Sequence, residues 1–136
     1  MYSIMIVEDE ELVRQGLTSL VNYEQFGMKV IDQAENGRIA WEKFQAQPAD
    51  LLLTDINMPQ MNGLDLAQLV REKAPSCHII FLTGYDDFEF AQKAIRLGAD
   101  DYLLKPFSKA DIEEMLEKVK NKLDEERKKA QIESLV

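Results

Sequence analysis

The class of fold is indicated most clearly by residues 51–63, Leu51-Leu-Leu-Thr-Asp-Ile-Asn-Met-Pro-Gln-Met-Asn-Gly63. It begins with a short run of large apolar and β-branched side chains, which is typical of a strand buried on both faces. The polar residues that follow, with Pro59 and Gly63 among them, are typical of a loop. A buried strand that passes through such a loop into an amphipathic segment is one βα unit of a parallel sheet.

The same alternation recurs along the whole chain. Short apolar runs predict five strands, at residues 4–7, 29–31, 51–54, 79–83 and 102–104. Amphipathic stretches predict helices at residues 10–21, 37–47, 63–73, 87–97 and from 109 onward. The pattern predicts an α/β fold with a doubly wound, five-stranded parallel sheet between two layers of helices, the last helix being extended.

The last predicted helix carries an apolar stripe that fades toward its end. The stripe consists of Ile112, Leu116, Val119 and Leu123, and the next positions in its register are Glu126, Ala130 and Glu133. The charged side chains of residues 124–136 indicate a solvated helical extension. We therefore expect a domain over residues 1–122 and a helical linker over residues 123–136. A coiled-coil connector is the alternative, although the stretch holds few heptads.

The composition narrows the classes of function. Of the 136 residues, 46% are hydrophobic, which is enough for one buried core. The net charge of −9 disfavours nucleic-acid binding by this chain, because phosphate backbones carry the same sign. The single cysteine, Cys77, excludes an internal disulfide and fits a reducing compartment. Without a membrane-spanning apolar run or a signal-peptide pattern, the sequence predicts a soluble cytoplasmic domain.

Polar side chains stand at the ends of four predicted strands. They are Glu8 and Asp9 after the first, Asp55 after the third, Thr83 at the end of the fourth and Lys105 after the fifth. In an open parallel sheet ligands bind outside the carboxyl ends of the strands, so we expect these groups to converge. Three neighbouring carboxylates repel one another unless a cation lies among them, and oxygen ligands of this kind suit Mg²⁺. Taken singly, each residue has an ordinary role, such as a helix N-terminal acid or a turn aspartate; the joint spacing favours a site.

Four segments together resemble the receiver domains of two-component response regulators over roughly residues 1–122. They are Ile6-Val-Glu-Asp-Glu-Glu11, Leu53-Thr-Asp-Ile-Asn-Met-Pro59 with Met61-Asn-Gly63, Leu82-Thr-Gly84, and Gly98-Ala-Asp-Asp-Tyr-Leu-Leu-Lys-Pro106. The resemblance implies a flavodoxin-like sheet of order 2-1-3-4-5. It also implies that a sensor histidine kinase phosphorylates Asp55, and that the chain is a regulatory domain that promotes its own phosphoryl transfer and dephosphorylation.

The resemblance also implies a metal site. Asp9, Asp55 and the backbone carbonyl of Asn57 would ligate Mg²⁺, for which Mn²⁺ can substitute. Glu8 would act through a metal-bound water, and it stands where an aspartate is commoner in such domains.

Other residues are implied to bind the phosphoryl group or to respond to it. Thr83 and Lys105 would bind the phosphoryl oxygens, through a hydroxyl and a compact positive charge. Thr83 and Tyr102 would form the conformational switch, and the bond between Lys105 and Pro106 would be cis.

Two further stretches are similar to receivers that precede AraC-type helix-turn-helix output domains: Asn22-Tyr-Glu-Gln-Phe-Gly-Met-Lys29 and Thr83-Gly-Tyr-Asp-Asp-Phe-Glu-Phe90. This similarity implies that DNA is bound only through an output domain outside this chain. No membrane contact is expected, because no apolar run is long enough to cross a bilayer. A homodimer through the fourth helix, fifth strand and fifth helix is a further expectation.

Three other functions compete with this interpretation. A haloacid-dehalogenase-like phosphohydrolase also uses an aspartate and magnesium, but it needs a second aspartate where Asn57 stands. A receiver that serves only as an interaction module would usually lack part of the constellation. A nucleotide-binding site is disfavoured because neither glycine-rich phosphate-binding pattern is present in the sequence.

Overall fold

The structure, a computed structural model, describes residues 1–84, 88–96 and 98–135. Its strands are β1 (Tyr2–Val7), β2 (Met28–Ala34), β3 (Leu51–Asp55), β4 (His78–Thr83) and β5 (Asp101–Leu104). Its helices are α1 (Glu11–Ser19), α2 (Gly37–Ala46), α3 (Gly63–Lys73), α4 (Phe88–Arg96) and α5 (Lys109–Ser134), and a 3-10 helix spans Tyr23–Phe26. Within the subfamily segment 83–90, residues 85–87 and the side chains of Phe88 and Phe90 lie outside this description.

The five strands form one sheet in which every neighbouring pair is parallel. The strand order is β2-β1-β3-β4-β5, so the predicted doubly wound fold is confirmed. The chain moves from β1 outward to β2, crosses back to β3 and then continues to the other edge. The order therefore reverses between β1 and β3, and this is where a crevice opens at the carboxyl ends of the strands.

Alternate residues of the strands pack on opposite faces of the sheet. On β1, Ile4 and Ile6 belong to a core cluster with Leu17 of α1 and Leu116 of α5. Met5 and Val7 belong to the second cluster, on the face that α2 and α3 cover with Phe44, Leu66 and Val70. Because both faces are covered by helices, the strands are continuous apolar runs rather than alternating ones.

Asparagine and serine side chains cap the helices that border the crevice. Asn36 accepts a hydrogen bond from the Ile39 N–H at 2.9 Å, which satisfies a free donor at the start of α2. Asn62 caps α3 in the same way. Ser108 and Asp111 form a reciprocal capping box at the start of α5.

Helix α5 is 26 residues long and stays in contact with the sheet beyond residue 122. Leu123 is buried in the core, the Tyr2 hydroxyl donates to the Asp124 carboxylate at 2.6 Å, and Glu126 contacts His78. Among the residues that the structure describes, no helix, α5 included, combines the length and apolarity needed to cross a membrane.

Candidate functional site

The crevice brings three carboxylates together from two neighbouring strands. Val7, the last residue of β1, pairs with Thr54 of β3, so Glu8 and Asp9 emerge beside Asp55. One carboxylate oxygen from each of the three lies within 4.8 Å of the others. Glu8 and Asp55 are buried, and Asp9 is exposed. The structure therefore places these three predicted residues in one cluster, called the acidic cluster below.

Lys105 reaches this cluster from the far edge of the sheet. Its Nζ atom lies 2.7 Å from Glu8 Oε1 and 3.4 Å from Asp55 Oδ2. Glu8 has no exposed surface, so its charge depends on this ammonium and on the Glu10 N–H, which donates to its other oxygen at 3.2 Å. One lysine thus partly neutralises two buried carboxylates.

The close approach of these charges shifts the pKa values of Asp55 and Asp9 in opposite directions. Burial, followed by the negative charge of Glu8, raises the pKa of Asp55 to about 7, although Lys105 acts in the opposite direction. Burial also acts to raise the pKa of Asp9, but hydrogen bonds with Glu8 and Asp55 outweigh it and lower that pKa. The cluster consequently retains a proton near neutral pH, as expected for carboxylates held close together.

Thr83 and Lys105 are adjacent because β4 and β5 pair to their ends. The Lys105 N–H donates to the Thr83 carbonyl at 2.7 Å, and the Thr83 side chain is buried beside the crevice. The Thr83 hydroxyl donates to the Gly84 carbonyl at 3.3 Å. The peptide bond between Lys105 and Pro106 is cis.

Asn57 and Tyr102 are the other two predicted site residues. Asn57 is two residues beyond Asp55 in the β3–α3 loop, and its side chain is exposed. Tyr102 has 44% of its surface exposed, so its ring is turned toward solvent in this structure.

Two glycines hold the β3–α3 loop in place. A Cβ atom on Gly63 would overlap the carbonyl oxygen of Asp55, and one on Gly37 would overlap the carbonyl oxygen of Met61. The Gly63 N–H donates to Ile56 at 2.8 Å, and the Gly37 N–H donates to Met61 at 3.0 Å. From the sequence alone, Gly63 was predicted to end a loop and Gly37 to begin a helix, and neither was predicted to make a close backbone contact. The repeated Asn-Gly dipeptide at the start of α2 and α3 was the available signal.

Sequence reasoning also missed Arg14. Its Nη1 atom donates to the Glu8 carbonyl at 2.6 Å and ties α1 to the β1–α1 loop. An arginine on an amphipathic helix has no spacing that distinguishes this role from an ordinary exposed position.

The donor set of the acidic cluster fits a hard divalent cation. Its side-chain ligands are all carboxylate oxygens, which is the chemistry that Mg²⁺ and Ca²⁺ select. A cation among them would also offset the repulsion that raises the pKa of Asp55. Glu8, Asp9 and Asp55 could therefore hold a metal ion.

Comparison with known protein families matches residues 4–117 to the response regulator receiver domain. Among solved structures, the REC domain of the response regulator AraT from Geobacillus stearothermophilus matches with a TM-score of 0.89 and 43% identity, over 93% of this chain and 98% of that chain. A two component transcriptional regulator AraC from Clostridium phytofermentans matches with a TM-score of 0.81 and 35% identity, over 88% of this chain and 92% of that chain.

Curated sequences give the same result. The sensory transduction protein LytR of Staphylococcus haemolyticus is 44% identical over 119 residues, which is 88% of this chain and 45% of that protein. The transcriptional regulatory protein YesN of Bacillus subtilis is 35% identical over 119 residues, which is 88% of this chain and 32% of that protein. The matched part of the chain thus corresponds to 32% of the length of the protein from Bacillus and 45% of the length of the one from Staphylococcus. The matched residues 4–117, the strand order and these relatives together confirm the sequence prediction: the chain belongs to the response regulator receiver domain family.

Proposed function

We propose that Asp55 accepts a phosphoryl group from a sensor histidine kinase and that this modification switches the receiver between two conformations. The observation that supports this most directly is the convergence of Asp55 with two other carboxylates and Lys105 at the carboxyl edge of the sheet. An aspartate in such a position is a nucleophile that can form an acyl phosphate.

In the proposed transfer, an ionised Asp55 oxygen attacks the phosphorus of a phosphohistidine. The new P–O bond forms as the P–N bond breaks, and the imidazole leaves with the bonding electrons and takes up a proton. Asp55 has to be ionised for this attack, and a cation in the acidic cluster would favour its ionised form. Later attack by water on the acyl phosphate would return Asp55 to its free state, which is the self-dephosphorylation that we propose.

The remaining site residues position and neutralise the group. Lys105 lies 3.4 Å from Asp55 Oδ2 and would pair with a phosphoryl oxygen there. Thr83, whose backbone carbonyl accepts a hydrogen bond from the Lys105 N–H, would donate its hydroxyl to a second phosphoryl oxygen. We propose Thr83 and Tyr102 as the switch pair, with the exposed Tyr102 ring moving inward when Thr83 moves toward the phosphoryl group.

We propose Mg²⁺ as the cofactor, with Mn²⁺ able to replace it. Asp9, Asp55 and the Asn57 backbone carbonyl would hold the ion, and Glu8 would contact it through water. When bound, the ion would offset the negative charge of the carboxylates and of the incoming phosphoryl oxygens.

The proposed partners extend beyond the kinase. Ile95 of α4 and Tyr102 and Leu104 of β5 expose 70%, 44% and 40% of their surfaces, which supports a homodimer through α4, β5 and α5. We propose that residues 1–122 form the receiver and that residues 123–136 lead toward an output domain, through which alone DNA would be bound to control transcription. A cytoplasmic location without membrane contact completes the proposal.

Treatment with acetyl phosphate or phosphoramidate tests the proposed phosphoacceptor. With Mg²⁺ present, intact-mass measurement should show one phosphoryl group on the wild type and none on Asp55→Asn. Asp65→Asn, which removes an exposed aspartate on α3, is the matched control and should be modified like the wild type. Undiminished modification of Asp55→Asn would overturn the assignment.

A further inference from the structure

A second polar cluster lies at the amino-terminal ends of the strands, whereas the acidic cluster lies at their carboxyl ends. Its centre is His78, the first residue of β4, whose last residue is Thr83. The His78 side chain is only 8% exposed. Its Nδ1 atom lies 2.7 Å from Asp100 Oδ1, and its Nε2 atom lies 2.9 and 3.1 Å from the two carboxylate oxygens of Glu126. The imidazole therefore bridges the segment before β5 and the later part of α5.

The number of protons on His78 determines whether both contacts can form. A carboxylate only accepts, so each ring nitrogen must carry a proton to bond to its partner. Only the doubly protonated, positively charged imidazole satisfies both Asp100 and Glu126. The neutral ring keeps one N–H. The lone pair of its other nitrogen then faces a carboxylate oxygen, and no hydrogen bond forms between these two acceptors.

Asp100 and Glu126 differ in their other contacts and in their exposure to solvent. Asp100 also accepts the Ile79 N–H at 2.8 Å and lies 3.4 Å from Lys122 Nζ, and its side chain is 15% exposed. The Glu126 side chain is 53% exposed, so water can solvate it once it leaves His78. A neutral His78 should therefore keep its remaining proton toward Asp100 and lose Glu126.

Other charges surround the cluster but do not replace this contact. The Lys122 ammonium of α5 lies 3.4 Å from Asp100 and makes no contact with the His78 ring. Asp50 lies before β3. Its backbone carbonyl accepts a hydrogen bond from the backbone N–H of His78, and its carboxylate accepts one from Ser3. The Arg71 guanidinium of α3 donates to the carbonyls of Cys77 and Gly98.

We propose that His78 is a protonation-dependent latch that holds the end of α5 against the sheet through Glu126 and releases it on deprotonation. The release would begin near Glu126, since Leu123 stays in the core and Asp124 stays bonded to Tyr2. The latch acts at the end of the domain remote from Asp55, so it is independent of the phosphoacceptor proposal.

The pKa of His78 sets the range in which the latch would act. The hydrogen bond to Asp100 raises this pKa, burial acts to lower it, and the bond to Glu126 raises it further, with a net increase above 6.5. Stability contributed by a group with a raised pKa is complete below the ordinary value and is lost as pH rises through the raised one. The latch is thus closed in acid and opens on the alkaline side of pH 6.5.

His78 is the single histidine of the chain, so its ring signals can be titrated by NMR without ambiguity. We expect the wild-type ring to titrate above 6.5 and Glu126→Gln to lower its pKa. Glu133→Gln, an exposed change further along α5, should leave it unaltered. Amide protection factors of residues 126–134, corrected for intrinsic exchange, should fall as His78 deprotonates, and those of residues 112–119 should not.

The Glu126→Gln variant also tests the latch without disturbing the core. Its protection over residues 126–134 should not respond to the titration of His78, because the Gln amide can accept from the charged ring and donate to the neutral one. An unchanged His78 pKa in Glu126→Gln, or wild-type protection of residues 126–134 that is independent of His78 ionisation, would overturn the proposal.

Discussion

Lys105 Nζ lies 0.7 Å closer to Glu8 than to Asp55, at 2.7 Å against 3.4 Å, although Asp55 is the proposed phosphoacceptor. Glu8 is fully buried and Asp55 nearly so, so water screens neither carboxylate from this ammonium well. The lysine is therefore a structural counter-ion as well as a proposed phosphoryl ligand, and its removal should affect folding as well as phosphorylation.

Lys105→Met should destabilise the protein by about 2–3 kcal/mol, because it leaves buried carboxylates without their cation. Urea unfolding at pH 7.5 with EDTA measures this. Lys118→Met is the matched control: it removes an exposed lysine of α5 that lies 3.9 Å from Glu114, so the loss should stay below about 0.5 kcal/mol. Equal losses for the two variants would contradict the proposed role.

Asp55→Asn should stabilise the fold more in alkaline than in acidic solution. The folded pKa of Asp55, about 7, is above its ordinary value of 3.8. Its contribution to stability is therefore complete below pH 3.8 and is lost as pH rises through 7. With EDTA present, we expect the margin by which Asp55→Asn melts above the wild type to be larger at pH 8 than at pH 5.

Glu72→Gln controls for the loss of one negative charge, since Glu72 is exposed on α3. Its melting temperature should differ from the wild type by a similar small amount at both pH values. A stabilisation by Asp55→Asn that is the same at pH 5 and pH 8 would show that the Asp55 pKa is not raised.

Asp9→Asn should weaken Mg²⁺ binding more than Glu8→Gln does. Asp9 is exposed at the mouth of the acidic cluster, where a cation would enter, whereas Glu8 is buried and pairs with Lys105. We expect about a tenfold loss for Asp9→Asn in calorimetric titrations with MgCl₂ and a smaller loss for Glu8→Gln. Glu11→Gln, on the exposed start of α1, should bind as the wild type does, and equal affinities for the two cluster variants would refute direct ligation by Asp9.

Gly63→Ala should be strongly destabilising, by several kcal/mol, because its methyl group would overlap the Asp55 carbonyl. Gly16→Ala is the control within the same chain. A Cβ on Gly16 meets no atom within 4 Å, and the residue lies inside α1, where alanine is favoured by about 1 kcal/mol. Denaturant midpoints should therefore move in opposite directions, and a neutral Gly63→Ala would mean that the loop is not held closely there.

The sequence predicted the bounds of the central strand β3 better than those of the edge strand β2. For β3 the predicted residues 51–54 became Leu51–Asp55, because all of its side chains are buried and apolarity identifies it. For β2 the predicted residues 29–31 became Met28–Ala34. This strand lies at the edge of the sheet, and Asp32 and Gln33 face partly outward, so composition conceals its length.

Within the site, strand-end positions were enough to predict that the acidic residues and Lys105 meet. They were not enough to predict that Lys105 would prefer Glu8, since this depends on side-chain reach and burial. His78 carried no signal either, because Asp100 and Glu126 stand 22 and 48 residues away from it in the chain. Such contacts depend on the tertiary arrangement of three separate elements.

The unbroken course of α5 has a geometric consequence for anything joined to it. A continuous helix of 26 residues is a rod about 39 Å long, in which each residue turns the following ones by about 100°. One residue inserted after Arg127 would leave the core stripe through Leu123 in place but rotate Ile132 onto a different side of the rod. The direction in which the side chains of the final turns of α5 project therefore depends on the rotation of the helix about its axis as well as on its length.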